Sequence, residues 1–248
     1  MIQRIKLETY LNKILEIEKF QDYTVNGIQI EGSSEINKII TCVSISQNII
    51  EQAVYKKANA IIAHHGFFWK NDPPQITGIF KNKLNLLFKN NINLFAYHLP
   101  LDASIKWGNN FPILKKLRAV PKENISNIGY TGILKHPVTY EEFFNTIGKI
   151  YKTKGVHIKP QNKKIVKKVG VIAGRAVDFF RESILLNIDA FVTGEGTEWI
   201  YSMALENEIS FSAMGHNKSE EIGIKLLSEH LQKKFKINTE FIAEDNPF

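Results

Sequence analysis

The chain has 248 residues, 44% of them hydrophobic and 23% charged, which are values of a folded globular protein and exclude a disordered or low-complexity chain. No apolar run approaches the roughly 18–20 residues that a membrane-spanning helix needs. The single cysteine, Cys42, excludes an internal disulfide and a Cys-rich structural zinc site.

The opening segment MIQRIKLETYLNKILEIEKF mixes charges with Ile and Leu and lacks the continuous apolar core of a signal peptide. A cytoplasmic protein is therefore expected. The formal net charge of +7 could attract nucleic acid or other anions. The basic residues are dispersed, however, as in a chain rich in Lys, Ile and Asn throughout.

In chain order, residues 2–19 have the spacing of an amphipathic helix, with Ile5, Leu11, Ile14, Leu15 and Ile17 near one side. Asn26-Gly27 marks a turn. Ile39–Ile45 is a β-branched run expected to be a buried strand, and Asn48 is placed to cap a helix reaching about Ala58. Residues 60–64 form a second strand, ending at His64 and His65. A loop with Pro73 and Pro74 leads to a helix over 79–90. The segment 93–98 is a third strand ending at His98, after which Pro100 argues against a helix. Asn109 to about Leu117 reads as another helix. The alternation of strand and helix predicts a parallel sheet with helices packed on it, and such sheets bind ligands beyond the carboxyl ends of their strands.

Residues 119–129, polar and containing Pro and Gly, make the best linker candidate. A second α/β unit then follows. It has strands near 129–135, 156–160, 166–174, 189–194 and 209–214. Its helices are 139–152, capped by Thr139 with Glu142 three residues later, 178–187 and 197–208. A helix over 218–234 and a short strand at 238–243 complete the chain. The expected division is residues 1–125 with about 215–248 as one α/β domain and 126–214 as the other.

Three segments carry chemistry. His64 and His65 close a strand and precede Gly66, where the backbone can turn both rings toward one place. His98 and Asp102 share the segment YHLPLDA, and an Asp among apolar neighbours needs a cation or hydrogen bonds. His216 and Glu220 stand four apart at a strand end and helix start, a spacing that shares a helix face. Four of the seven histidines fall in these segments. With the two carboxylates they supply nitrogen and oxygen donors for two divalent metals such as zinc, iron or manganese. Glu195 is a candidate for an acid behind the ligands or facing a substrate, although a plain acid at a helix start is the stronger reading. Trp69 can stack on a base or pack on the core, and Gly174 can leave backbone amides open to an anion. His136, His157 and His230 lack such context.

The order HHGFFW, YHLPLDA, DAFVTGE and GH followed by SE, with VNGIQIEG near the start, resembles the GTP cyclohydrolase I type 2 homolog family, also called Nif-three-like. The match covers nearly the whole chain, in the short form without an inserted domain. The resemblance implies two interlinked α/β domains with a dinuclear metal centre in the cleft between them, assembled into a ring-shaped homohexamer. It implies that His64 and Asp102 hold one metal, that His65 and His216 hold the other and that Glu220 bridges them. His98 stands by as a further ligand or proton-transferring group. The implied activity is metal-dependent hydrolysis of a nucleotide-like small molecule, possible because two metals lower the pKa of a bound water. The alternatives are a non-catalytic metal-binding regulatory protein and, behind it, a nucleic-acid-associated ring.

Overall fold

A computed structural model describes all 248 residues. In chain order the elements are β1 (Ile2–Gln3), α1 (Arg4–Leu15), β2 (Gly27–Ile30), β3 (Glu35–Ile36), β4 (Lys38–Ser44), α2 (Gln47–Tyr55), β5 (Ala60–His65), α3 (Gly78–Lys89), β6 (Asn93–Ala96), α4 (Leu99–Asp102) and α5 (Phe111–Lys116). They continue as β7 (Ala119–Ile125), β8 (Gly129–Thr139), α6 (Tyr140–Tyr151), β9 (Val156–Ile158), β10 (Ile165–Val171), α7 (Phe180–Leu185), β11 (Ala190–Thr193), α8 (Ile200–Glu206), β12 (Ser210–Ala213), α9 (His216–Phe235) and β13 (Asn238–Phe241). No helix is long and apolar enough to cross a membrane.

The chain divides into two compact α/β units, Met1–Leu101 with Ile224–Glu244, and Asp102–Gly223 with Asp245–Phe248. Residues 102–125, 215–223 and 245–248, grouped with the first domain on sequence, cluster with the second unit.

Unit 1 holds a five-stranded sheet in the order β13-β4-β5-β6-β2, parallel except for β2. The run Ala60-Ile61-Ile62-Ala63 is fully buried, as a central parallel strand covered on both faces must be. Pairing of Ala63 with Ala96 and of Ser44 with His65 brings the carboxyl ends of β4, β5 and β6 together. Helix α1 buries Leu11 and Leu15 as expected, together with Leu7 in a stripe four residues apart, and leaves Ile5 exposed. Ser46, not Asn48, caps α2, its hydroxyl accepting from Ile49 N at 3.1 Å.

Unit 2 holds a six-stranded mixed sheet in the order β7-β8-β10-β11-β12-β9. Two clusters make its core, one around Phe143, Val169 and Met214 and one around Phe180, Phe191 and Phe211. The linker expected at 119–129 is a β-hairpin. Strand β7 is an edge strand, which tolerates Pro121, and its loop carries Ser126 and Asn127 at positive φ. Pro100, expected to block a helix, sits in the first turn of the one-turn α4, where a missing N–H costs nothing.

Thr139 and Glu142 form the expected capping box at the start of α6. Thr139→Ala is expected to lower unfolding free energy by about 1 kcal/mol, read as a shift of the urea midpoint at unchanged m-value. An unmoved midpoint would remove the cap from the account of this helix.

Candidate metal-ligand clusters

In unit 1 the strand ends gather three imidazoles. His64, His65 and His98 each present a ring nitrogen, and these nitrogens all lie within 4.8 Å of one another. His64 is fully buried and His98 nearly so. The Nδ1 of His64 lies 2.9 Å from the Tyr97 carbonyl. A carbonyl only accepts, so Nδ1 carries the proton and Nε2 keeps the lone pair. His98 repeats the device with a carboxylate, its Nδ1 lying 2.9 Å from Asp22 Oδ1. His65 Nδ1 lies 3.0 Å from the Ser44 hydroxyl across the β4–β5 pair. An imidazole oriented through one nitrogen, with its lone pair on the other, is the usual form of a metal-ligating histidine. The donor set therefore fits a first-row divalent ion.

Asp22 was not legible as a site residue. Its Oδ1 accepts from His98 Nδ1 and Tyr23 N, and its Oδ2 from Asn26 Nδ2 and Leu99 N. Burial raises its pKa. The hydrogen bond and charge of His98, with the Asn26 and Leu99 donors, outweigh that and hold the carboxyl below its ordinary range.

In unit 2, carboxylate oxygens of Asp102 and Glu220 lie within 4.8 Å of each other, and so do donor atoms of His216 and Glu220. Asp102 closes α4 and accepts from Asn109 Nδ2 at 2.8 Å, while Asn109 Oδ1 accepts from Gly223 N at 2.8 Å. Helix α9 starts at His216, two residues earlier than expected, which puts His216 and Glu220 on adjacent turns of one face. His216 sits between two carboxylates, with Nδ1 2.5 Å from Glu195 Oε1 and Nε2 3.2 Å from Glu220 Oε1. Burial lowers its pKa. Glu220 and then Glu195, through hydrogen bonds and charge, outweigh that and push it up to about 9. Without a metal the ring is thus protonated at neutral pH, and metal binding at Nε2 must displace a proton.

Glu195 is therefore a partner of His216 rather than a helix-start acid; α8 begins only at Ile200. Gly174 has φ +66°, and a Cβ there would lie 2.2 Å from Glu220 Oε1 and 3.3 Å from His216 Nε2. Its part is to leave room for the carboxylate. Its amide donates to Ser219 Oγ, and Ser219 Oγ in turn donates to the His216 carbonyl. Gly194 is equally constrained, since a Cβ would meet Gly174 O at 2.7 Å and His216 Cα at 2.8 Å.

Of the remaining candidates, Trp69 packs its ring 5.1 Å from that of His98 and 5.7 Å from that of His65. His157 is held by Ser212 and the Lys154 carbonyl and stacks on Phe144. His230 meets the Tyr10 hydroxyl, and His136 is exposed on β8. Cys42 is buried, and that burial pushes its thiol pKa far up.

A family model described as Duf34/NIF3 (NGG1p interacting factor 3) matches residues 2–247. The chain is 36% identical to the GTP cyclohydrolase 1 type 2 homolog of Haemophilus influenzae, over 99% of this chain and 100% of the relative. It is 37% identical to the protein of the same name from Buchnera aphidicola subsp. Schizaphis graminum, again over 99% and 100%. A solved structure described as protein ybgI, of unknown function, superposes with a TM-score of 0.96 at 34% identity, covering 100% of both chains.

Proposed function

The chain belongs to the Duf34/NIF3 family, and on that premise we propose that it is a dinuclear-metal-dependent hydrolase of a nucleotide-like small molecule, acting in the cytoplasm. The observation that carries the reading is the set of three imidazoles converging within 4.8 Å, two of them fixed through Nδ1 so that Nε2 is the basic nitrogen. In this reading His64 and Asp102 would hold one ion and His65 and His216 the other, with Glu220 as the carboxylate shared by both. The ions, when bound, would supply hydroxide at neutral pH and polarise the scissile group. The protein's part is orientation. Tyr97 O and Asp22 fix the His64 and His98 tautomers, Asn109 steers Asp102, and Glu195 takes up the charge at His216 Nδ1. His98, braced by Asp22, would take up a proton at Nε2 and return it to a leaving group. The curated relatives' name supports a purine nucleotide as the first substrate class to try. The same reading includes a homohexamer, for which light scattering should return six chain masses.

The test joins elemental analysis to a turnover screen on one preparation. Two equivalents of divalent metal are expected, together with hydrolysis of a panel member such as GTP that is lost on chelation and restored by zinc or manganese. Two equivalents of metal with no turnover across nucleotides and phosphoesters would overturn the hydrolase and leave a metal-binding protein. Glu220→Gln is expected to lower metal content to about half or less, since an amide bridges two ions poorly. Two fully retained equivalents would remove the bridge.

A further inference from the structure

A cavity of about 530 Å³ opens in unit 2 between the end of α5, strand β8 and helix α6. Strand β8 pairs antiparallel with β10, Tyr130 opposite Val171 at one end and Val138 opposite Val166 at the other. Gly174, which meets Glu220, follows the Val171 end, whereas the cavity lies toward the Val138 end. From Tyr130 to Lys135 an extended strand covers roughly 16 Å. None of the residues lining the cavity belongs to the metal-ligand clusters.

The floor is apolar and fixed. Leu117, Leu134 and Phe143 supply it as members of a buried core cluster, with Val138 packed against that cluster. The rim is cationic. Arg118, Lys135 and His136 stand there as exposed residues, and no Asp or Glu lines the cavity. Ala119 pairs with Leu134, so one step further along the hairpin sets Arg118 against Lys135. Like charges opposed across an antiparallel pair repel, and neither of these two forms an ion pair within the chain. Glu142, on the adjoining α6, spends its carboxylate on Thr139 N and Oγ1. Thr146 adds no donor, because its hydroxyl already donates to Glu142 O at 2.7 Å.

We infer that this cavity binds a phosphate monoester carried on a small apolar body, an aryl or short alkyl phosphate. Near neutral pH such an ester carries a charge approaching −2, which matches the two unpaired cations. A carboxylate, with a single charge, leaves one cation uncompensated. Arg118 offers a planar fork to two oxygens, Lys135 a point charge and His136 a ring N–H. The bound phosphate relieves the repulsion between Arg118 and Lys135, and its apolar body covers the leucine and phenylalanine floor. The cavity falls within the roughly 300–1,000 Å³ of small-molecule sites. The inference stands apart from the hydrolase reading, with which it shares no residue.

The test is ligand titration of the full chain, before and after chelation, followed by the NMR ring signals of His136 with His157 and His230 as internal controls. Phenyl phosphate is expected to shift His136 saturably in both states. Inorganic phosphate and benzoate should each bind about tenfold more weakly or worse, and benzyl alcohol not at all. Arg118→Gln should weaken phenyl phosphate about tenfold or more, as the loss of a charged hydrogen bond does. Lys164→Gln, at an exposed lysine outside the cavity, should leave it unchanged. Lys135→Glu should abolish binding, because a carboxylate at that position occupies Arg118 in the ligand's place. Circular dichroism of all three variants should match the parent. No saturable shift at millimolar phenyl phosphate, or equal losses in Arg118→Gln and Lys164→Gln, overturns the site. Inorganic phosphate or benzoate binding as tightly as the ester overturns the ligand class. A shift lost on chelation assigns the phosphate to a metal, and one that follows protein concentration without ligand assigns the cavity to a second copy of the chain; either overturns the proposal.

Discussion

Gly174→Ala is expected to dislodge the Glu220 carboxylate from His216 and to lower stability by about 1–2 kcal/mol, the usual cost of a left-handed residue that has gained a Cβ. The collision is specific. The new methyl would lie 2.2 Å from Glu220 Oε1, and Glu220 has little solvent to retreat into, being 2% exposed. His216 then loses the group that does most to raise its pKa. In the metal-free protein its NMR titration midpoint should fall from about 9 toward its ordinary value of about 6.5. The sign carries over to stability. A group with a raised folded-state pKa stabilises fully below its unfolded value and loses that contribution as pH rises through the folded value. The parent should therefore lose stability between about pH 6.5 and 9, and the variant should be flatter there. Metal content should fall as well. Gly194→Ala offers the contrast, because its Cβ meets Gly174 O and His216 Cα, backbone atoms that cannot swing aside. It should cost more stability than Gly174→Ala. A parent-like midpoint and full metal content in Gly174→Ala would show that the glycine is there for the turn alone.

The contrast between these glycines and the histidines shows where the sequence is informative. The run AIIAHH is legible because burial on both faces makes β5 continuously apolar, so the first polar residues must mark its end. The same logic finds His98 beyond β6, and helical spacing joins His216 to Glu220. The roles of Gly174 and Gly194 are not legible, because the atoms they make room for in α9 are distant in the chain. Asn109 is hidden for a similar reason; the bond it accepts from Gly223 N spans 114 residues. Strand β7 was mistaken for a linker because five of its seven residues are exposed in a row, and an edge strand of that kind has no period of two. The position of Glu195 before α8 suits a helix-start acid, while its actual partner lies 21 residues away.

Asp22→Asn is expected to weaken metal binding by about 10–100-fold, the usual cost of losing the group that orients a ligating histidine. The side chain is nearly isosteric, yet it cannot take over the carboxylate's place. Four N–H donors converge on Asp22, two on each oxygen. An amide has one acceptor oxygen, so either orientation turns its NH2 toward two donors. If the NH2 faces His98, the imidazole must accept at Nδ1 and carry its proton on Nε2. The lone pair then points away from His64 and His65, and the ring is lost as a ligand or proton acceptor on that side. If the NH2 faces the other way, Asn26 Nδ2 and Leu99 N lose their acceptor. Leaving such partly buried donors unsatisfied costs about 1 kcal/mol or more. The metal-free proteins should show the acid limb of this effect. Asp22 has a depressed pKa, so its contribution is complete above its ordinary value near 4 and disappears as pH falls through the lower folded value. The stability gap between parent and variant should thus be widest at neutral pH and narrow below about pH 4. Isothermal titration with zinc and urea unfolding from pH 3 to 7 measure both halves. Unchanged zinc affinity beside the expected stability loss would make Asp22 a structural brace and would take His98 out of the metal site.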